Sequence, residues 1–490
     1  MRRLFKDAAG SFTNREHAIP VKKTPDVYHP INYFIGDYSM LKTSRRNFLK
    51  STAVAGAGVI LMHNLASGES PNEKINFAAI GVSGKGGSDT ADAANSGNLV
   101  AICDTDANKR RGALKRYEGV AEFSDFREMF DKMGDKIDAF TCSVPDHMHA
   151  PACLMGMRLG KHCFCQKPMT RTIYEARMMA KVAAENKCCT QMGNQGTANK
   201  FLRICEALCK IGFLGDLLEA HVWTNRPIWP QGGGRPASKP VPDFLDWEHW
   251  LGVAPERPYA DGYHPFSWRG YWDFGTGALG DMACHTFNMP YAACKLADPS
   301  SVVATTSGHN YETMPQWSII EFQFPETAER KAVKAFWYDG GKKMPAEKIA
   351  GFAQLPNTGS CIFGTKIIML AGGDYCDQLS LFKADTKEKV EIPADLEWEQ
   401  SPGHFQEWVN HIKGGFDSKP GHSNFITYAS KLTETILLGN LAVYGAPEKE
   451  VKGELVEWDA ANMKITNNPK GKEAMELLVK PKYRGDYRLD

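Results

Sequence analysis

From residue 75 onward, short apolar runs alternate with stretches of helical period. The runs Ile75 to Ile80, Leu99 to Cys103, Ile137 to Cys142 and His162 to Cys165 are too short for helices, and their apolar content predicts buried strands. Between them Asp89 to Ala94, Ala107 to Tyr117, Phe126 to Met133 and Ala150 to Leu159 read as helices. Strand, helix, strand is the repeat of an open parallel sheet. Past residue 195 the rhythm changes. Strand-like runs recur at Leu217 to Trp223, Ser301 to Thr306, Trp317 to Phe324, Lys331 to Tyr338 and Ile362 to Leu370 without regular alternation with helices. Leu279 to Leu296 reads as one helix, and no internal repeat stands out.

Upstream, Ser44-Arg45-Arg46-Asn47-Phe48-Leu49-Lys50 precedes an uncharged run from Ser51 to Met62 and small residues around Ala66-Ser67-Gly68. This resembles a twin-arginine export signal. Its apolar run is about a dozen residues, short of the roughly 20 that a spanning helix needs. Met40 lies four residues before the motif, where a bacterial start is expected. The signal implies transient contact with the twin-arginine translocase, a periplasmic destination, and folding with any cofactor before export.

Composition narrows the ligand. The 490 residues are 43% hydrophobic and 23% charged, and 58 Lys plus Arg against 57 Asp plus Glu leave a net charge of +1. Nucleic-acid binding rests on clustered cations, so this balance speaks against it and fits a small neutral or weakly charged ligand. The 13 cysteines all follow the signal and lack the paired Cys/His spacing of a zinc finger. Most are expected to be small apolar core residues, and the odd count leaves at least one free thiol.

The first strand meets Gly81-Val82-Ser83-Gly84-Lys85-Gly86-Gly87 and then a helix. Glycines let the backbone take positive φ and approach a pyrophosphate, whose charge is stabilised by free N–H groups at the helix start. Ser83 stands where the second glycine of a G-x-G-x-x-G fingerprint falls, with Gly84 adjacent, so the motif alone is weak. Asp104, 23 residues after Gly81, ends the second strand. A carboxylate there accepts from ribose hydroxyls and repels a 2′-phosphate, which favours NAD, while Lys109, Arg110 and Arg111 keep NADP as the lesser option.

Two later strand ends carry Ser143-Val144-Pro145-Asp146-His147-Met148-His149 and Gln166-Lys167-Pro168. Strand-end loops of this kind form the ligand crevice of an open sheet. Proline after Lys167 keeps the backbone extended and aims the lysine into that crevice. Asp281 and His285, four apart on a helix, share one face. Lys167, Asp281 and His285 make a plausible catalytic site. Metal ligation is the rival reading of the Asp/His pair, but no third ligand is evident and no metal site is expected. Between these motifs, residues 223–274 are rich in aromatics and proline, with Trp229, Trp247, Trp250, Tyr263, Trp268, Tyr271 and Trp272 alongside Arg226 and Arg269. Core packing is the ordinary fate of each tryptophan, but together with Gly232-Gly233-Gly234 they read as a substrate-covering insertion. Asn194, Gln195, Arg226, Trp268 and Arg269 are the expected substrate contacts. His404 and His422 read as structural.

The glycine turn with Asp104, Val144-Pro145-Asp146-x-x-His149, Gln166-Lys167-Pro168 and Gly280-Asp281-Met282-Ala283-Cys284-His285 together resemble the Gfo/Idh/MocA oxidoreductases over residues 74–490. The resemblance implies an α/β protein: a signal and extension over 1–72, a Rossmann domain over 73–195, and over 196–490 an α/β domain with a large, mostly antiparallel sheet that often mediates oligomers. It assigns cofactor contacts to Gly81, Ser83, Gly84, Lys85, Gly86, Asp104, Ser143, Val144, Pro145, His149, Gln166 and Lys167. It also implies that His285, or Lys167 coupled to it, takes a hydroxyl proton while hydride leaves the same carbon for nicotinamide. A lysine depressed by nearby positive charge would suit that step. The family's usual tripeptide is Glu-Lys-Pro, so Gln166 departs from it and loses a carboxylate beside the cofactor.

These features lead to an exported, NAD-dependent dehydrogenase of a sugar or glycoside, with a 3-keto sugar as the candidate product. One alternative is glycoside cleavage through transient oxidation and elimination, although the His-Gly-x-Gly-Pro-like motif associated with such enzymes is missing. The other is a non-catalytic sugar- or nucleotide-binding protein.

Overall fold

The structure, a computed structural model, describes residues 74–308 and 310–490. The twin-arginine motif and Met40 lie outside the described residues. β1 (Asn76–Ile80) is buried from Phe77 to Ile80 because the sheet is covered on both faces. With β2 (Asn98–Cys103), β3 (Ala121–Phe123), β4 (Ala139–Cys142), β5 (His162–Cys165) and β6 (Thr190–Met192) it forms a six-stranded parallel sheet of order β3-β2-β1-β4-β5-β6. The order reverses between β1 and the strands on either side, which opens a crevice at the carboxyl ends of β1 and β4.

One expectation here is corrected. The helix after β4 begins at Asp146, not Ala150, and runs to Arg158. Pro145 precedes it and Asp146 supplies an acid to its first turn, where the dipole favours negative charge. The quoted motif is therefore a strand end plus a first helical turn.

The second sheet has ten strands: β7 (Leu217–Trp223), β8 (Ser301–Thr306), β9 (Ser318–Phe324), β10 (Val333–Tyr338), β11 (Gly359–Gly364), β12 (Ile367–Gly372), β13 (Gln378–Lys383), β14 (Lys389–Val390), β15 (Val456–Asp459) and β16 (Lys464–Ile465). Its order is β14-β13-β12-β11-β7-β10-β9-β8-β15-β16, and every pair is antiparallel except β7 with β10. The run Ile362 to Leu370 is a hairpin rather than one strand. Its turn escapes the hydrophobic pattern because both arms are buried and only Thr365-Lys366 is exposed. The helix expected over 279–296 is two helices, Gly277–Thr286 and Asn288–Cys294. Pro290 lacks the N–H that would bond back across Phe287.

Two late segments complete the earlier half. Helix Ser430–Tyr444 is buried almost all round and packs against helices Ile173–Glu185 and Gly277–Thr286 and against β8. Helix His404–Gly414 lies on the six-stranded sheet, with Trp408 5.7 Å from Phe77 and 5.6 Å from Phe164, ring to ring. The indole N–H of Trp408 donates to the Cys189 carbonyl at 2.9 Å. All 13 cysteines are free thiols, and all but Cys209 are buried. Among the described residues no helix is long and apolar enough to cross a membrane.

Candidate active site

The turn after β1 is shaped by glycine. At Gly81, φ is +80° and a Cβ would stand 2.4 Å from the Ser143 carbonyl oxygen; at Gly86 it would stand 2.3 Å from the Gly81 carbonyl oxygen. The turn therefore packs on the neighbouring strand end as only glycine allows. Helix Lys85–Ser96 then starts with no side-chain cap and no acid in its first turn, so its first N–H groups face the crevice. Nothing lies within 4 Å of a Cβ built at Gly84, which leaves the approach open. This cradle fits a pyrophosphate.

A cavity of about 660 Å³ extends from it. Gly81, Ser83, Gly84, Lys85 and Gly86 line one part; Asp104, Ser143, Val144, Pro145 and Gln166 line the next; Lys167, Gln195, Arg226, Trp268, Arg269, Asp281 and His285 line the far end. Asp104 is fixed by the backbone N–H groups of Val82 (3.1 Å) and Asp106 (3.0 Å). Arg110 turns to the Asp104 carbonyl and Glu122, and Arg111 to Asn108, while Lys109 lines the cavity.

At the far end the Lys167 ammonium donates to Asp281 Oδ1 at 2.6 Å and to the Asp281 carbonyl at 3.1 Å. Arg269 Nε stands 3.3 Å from the same carboxylate oxygen. Burial would raise the Asp281 carboxyl, but Lys167 and Arg269 overcome it and hold the group well below the usual carboxylate range. A carboxylate held by two cations is poorly placed to ligate a metal ion. Lys167 was expected beside positive charge; its closest partner is instead this carboxylate, so its ammonium is set as a hydrogen-bond donor. His285 is pushed well below the usual imidazole range, chiefly by burial and then by the Lys167 charge. Its Nδ1 is buried without a partner, and Tyr375 stands edge-on to the ring at 4.8 Å. A neutral imidazole beside a fixed ammonium is a base next to an electrophile.

Two expected contacts fall outside the wall. His149 sits in the first turns of its helix, almost fully buried, with Nδ1 2.8 Å from the Pro168 carbonyl oxygen. Its role is to brace the Lys167-Pro168 segment from behind. Asn194 is buried and accepts a hydrogen bond from Ser423, so it braces the Gln195 turn. Most of the aromatic insertion packs on itself: Trp247 stacks on Trp250 at 4.8 Å, and Phe274 meets Trp250 at 4.9 Å and Tyr263 at 5.1 Å. Only Trp229, Trp250 and Trp268 among its tryptophans reach the cavity. His404 and His422 are structural in contact as well as position: His404 Nε2 lies 2.6 Å from the Met192 carbonyl oxygen, and His422 Nδ1 accepts from Arg203 at 2.9 Å.

Sequence reading missed three supports. Asp89, almost fully buried, pairs with Lys85 and accepts from Ser143 and from the Gln166 amide, each at 2.8 Å. Asp146 accepts from Arg269 at 2.9 Å and Thr276 at 2.6 Å. Tyr375 comes from the turn between β12 and β13. An acid at a helix position that the fold buries is the one available signal, and it depends on knowing the packing.

A family model described as an oxidoreductase family with an NAD-binding Rossmann fold, Gfo/Idh/MocA, matches residues 75–194, and the family's C-terminal alpha/beta domain matches residues 220–330. The chain belongs to the Gfo/Idh/MocA oxidoreductases. Residues 42–62 match the twin-arginine translocation signal sequence, so this chain carries a signal for export across the membrane. A glycosyl hydrolase family 109 protein of Solibacter usitatus is 29% identical over 208 residues, 39% of this chain and 47% of that protein. Levoglucosan dehydrogenase of Pseudarthrobacter phenanthrenivorans is 24% identical over 195 residues, 39% of this chain and 42% of that one. The chain thus matches somewhat under half the length of these curated relatives. The crystal structure of the WlbA dehydrogenase from Chromobacterium violaceum, in complex with NADH and UDP-GlcNAcA, superposes with a TM-score of 0.55 at 17% identity, covering 79% of this chain and 96% of that one. At that identity the likeness is one of fold. The cradle, the strand-end acid and the Lys167/Asp281/His285 cluster place this Gfo/Idh/MocA protein's dinucleotide cradle and its polar cluster in one continuous cavity.

Proposed function

We propose that this protein is an exported dehydrogenase that oxidises a hydroxyl of a neutral sugar or glycoside with tightly held NAD, and that it works in the periplasm. The observation that carries the reading is the convergence of a neutral His285 and a carboxylate-anchored Lys167 in the cavity that begins at the glycine turn. Bound there, NAD supplies the acceptor for the hydride leaving the carbinol carbon. His285 takes the hydroxyl proton. Lys167 donates a hydrogen bond to the same oxygen and stabilises the negative charge that develops on it. Asp281 fixes the ammonium, and Asp146 holds Arg269 against the same Asp281 oxygen.

A neutral substrate follows from pairing. Lys167 and Arg269 share Asp281, Arg269 also meets Asp146, and Arg226 meets Asp374 at 3.0 Å, so no cation at this end lacks an anion. Trp229 and Trp268 line this end of the cavity and supply aromatic surface suited to a sugar ring, with the Arg269 guanidinium 4.3 Å from the Trp268 ring centroid. NAD over NADP is supported by Asp104 at the ribose end and by Arg110 and Arg111 being engaged elsewhere.

The match to a glycosyl hydrolase family 109 protein favours a second reading, in which oxidation at C3 acidifies the C2 hydrogen and the C1 substituent is eliminated. The test begins with denaturing purified protein and identifying the nucleotide released. Glycosides are then screened for reduced-nicotinamide absorbance and for products. A keto sugar supports the dehydrogenase and a freed aglycone without net NADH supports cleavage; sugar-driven absorbance that survives Lys167→Ala overturns the role given to Lys167, and neither absorbance nor product from any glycoside overturns both readings.

A further inference from the structure

We propose that residues 244–266, although they lie beyond the Rossmann match of residues 75–194, form the outer wall of the adenosine end of the nucleotide site and restrain the bound dinucleotide from leaving. The inference rests on the nucleotide reading of the cavity given above and extends it to residues that no Rossmann turn supplies.

The wall is stitched to the chain that follows Asp104. Asp106 and Leu245 form an antiparallel bridge, the Ala107 N–H donates to the Phe244 carbonyl at 2.8 Å, and the Asp246 N–H donates to the Thr105 carbonyl at 3.0 Å. His264 Nε2 lies 2.9 Å from Asp106 Oδ2. His249, Trp250, His264, Pro265 and Phe266 line the same cavity as Asp104, as do Phe126 and Tyr487. Flat and apolar surfaces here suit a purine, and the acid at the strand end suits its ribose.

The wall has its own support and does not swing as a free loop. Behind it lie Leu245, Leu251, Tyr259 and Tyr263 in a small buried cluster with Phe274. From outside, Arg484 donates to Glu248 at 2.6 Å and to the carbonyls of Gly252 and Ala254 at 3.2 Å each. Tyr487 packs on Phe126 at 6.2 Å, tying the chain terminus to the other side of the mouth. A ligand enclosed this way leaves only when the wall opens. Opening separates backbone hydrogen bonds and an ion pair together, so it is a cooperative local unfolding step.

The experiment follows release of labelled NAD from the loaded full-length protein into excess unlabelled NAD. Wild type is expected to exchange slowly, and His264→Gln and Arg484→Ala to exchange at least about tenfold faster, since affinity changes of this kind fall mainly on the off-rate. Arg484 does not line the cavity, so turnover at saturating NAD should persist in Arg484→Ala. Hydrogen exchange on the unaltered protein provides a second measurement: amides of 244–266 should be slowed by NAD. Release within seconds from wild type, unchanged release in both variants, or amides of 244–266 indifferent to NAD would each overturn the wall. Protein that binds no dinucleotide at all would sink the nucleotide reading itself, whereas protein that binds NAD but exchanges it freely would sink only this inference.

Discussion

Gln166 donates its side-chain amide to the buried carboxylate of Asp89 at 2.8 Å, and its own carbonyl oxygen accepts from the Lys167 backbone N–H at 3.3 Å. A carboxylate thus stands beside the Gln166-Lys167-Pro168 segment after all, contributed by helix Lys85–Ser96 instead of the tripeptide. A Cβ at Gly193 would come within 2.4 Å of the Gln166 amide, so the amide packs on Gly193 as closely as only glycine allows.

Gln166→Glu places a second carboxylate against Asp89 and should destabilise the protein by about 1–3 kcal/mol. Adding Asp89→Asn should recover most of that loss, because the donor–acceptor pair is then rebuilt in reverse. Thermal unfolding of the wild type, both single variants and the double variant measures the coupling directly.

His285→Ala removes the proposed base without touching the glycine turn. Turnover should fall about 10²- to 10⁴-fold, with nucleotide content of the purified protein unchanged. Because His285 is held well below its ordinary range by burial and by Lys167, kcat/KM should stay level as pH drops through the ordinary imidazole range and fall only at more acid pH. A wild-type profile that breaks near the ordinary histidine value removes His285 as the base.

Acid should weaken the fold before it reaches carboxylate pKa values. Burial lowers His147 to about 3 and His221 and His404 to about 4, from 6.5. Between 6.5 and about 4 the unfolded chain binds protons that the folded chain does not, so stability falls as pH falls, with a limiting slope of about 1.4 kcal/mol per pH unit per histidine. Asp339, raised to about 6 by burial, acts in the opposite direction over part of this window, as do Asp92 and Asp104, which burial also raises, while His162 and His285, lowered by burial, add to the histidine effect. The melting temperature should therefore drop steadily from pH 7 to pH 5.

A native thiol titration should find at most one fast-reacting group, Cys209, and 13 after denaturation. Cys142, Cys153 and Cys165 have sulfurs within 4.8 Å of one another, yet all three are buried behind the crevice. Burial pushes the Cys142 and Cys165 thiols well up, which keeps them unreactive. Fewer than 13 thiols in denaturant would show disulfides formed after export.

The nucleotide half was legible because its strands are apolar runs and its turn is spelled in glycine, both local signals. Lys167, Asp281 and His285 were legible through the proline after the lysine and the four-residue spacing of the pair. His149 and Asn194 were expected as contacts and do not line the cavity. Polar residues beside a site motif look the same in sequence whether they face the ligand or brace the segment from behind. The Ile362 to Leu370 hairpin was hidden by burial on both arms, and the aromatic insertion by the fact that stacking on itself and stacking on a sugar use the same residues. Asp89 and Tyr375 reach the site only through packing.

Helix His404–Gly414 closes the face of a sheet whose last strand ended at Met192. During synthesis the nucleotide half therefore waits, with Phe77 and Phe164 uncovered, until the ribosome has added more than two hundred further residues. A prematurely stopped chain would present a greasy, unfinished sheet, and an export machine that accepts only folded cargo would have a physical basis for refusing it.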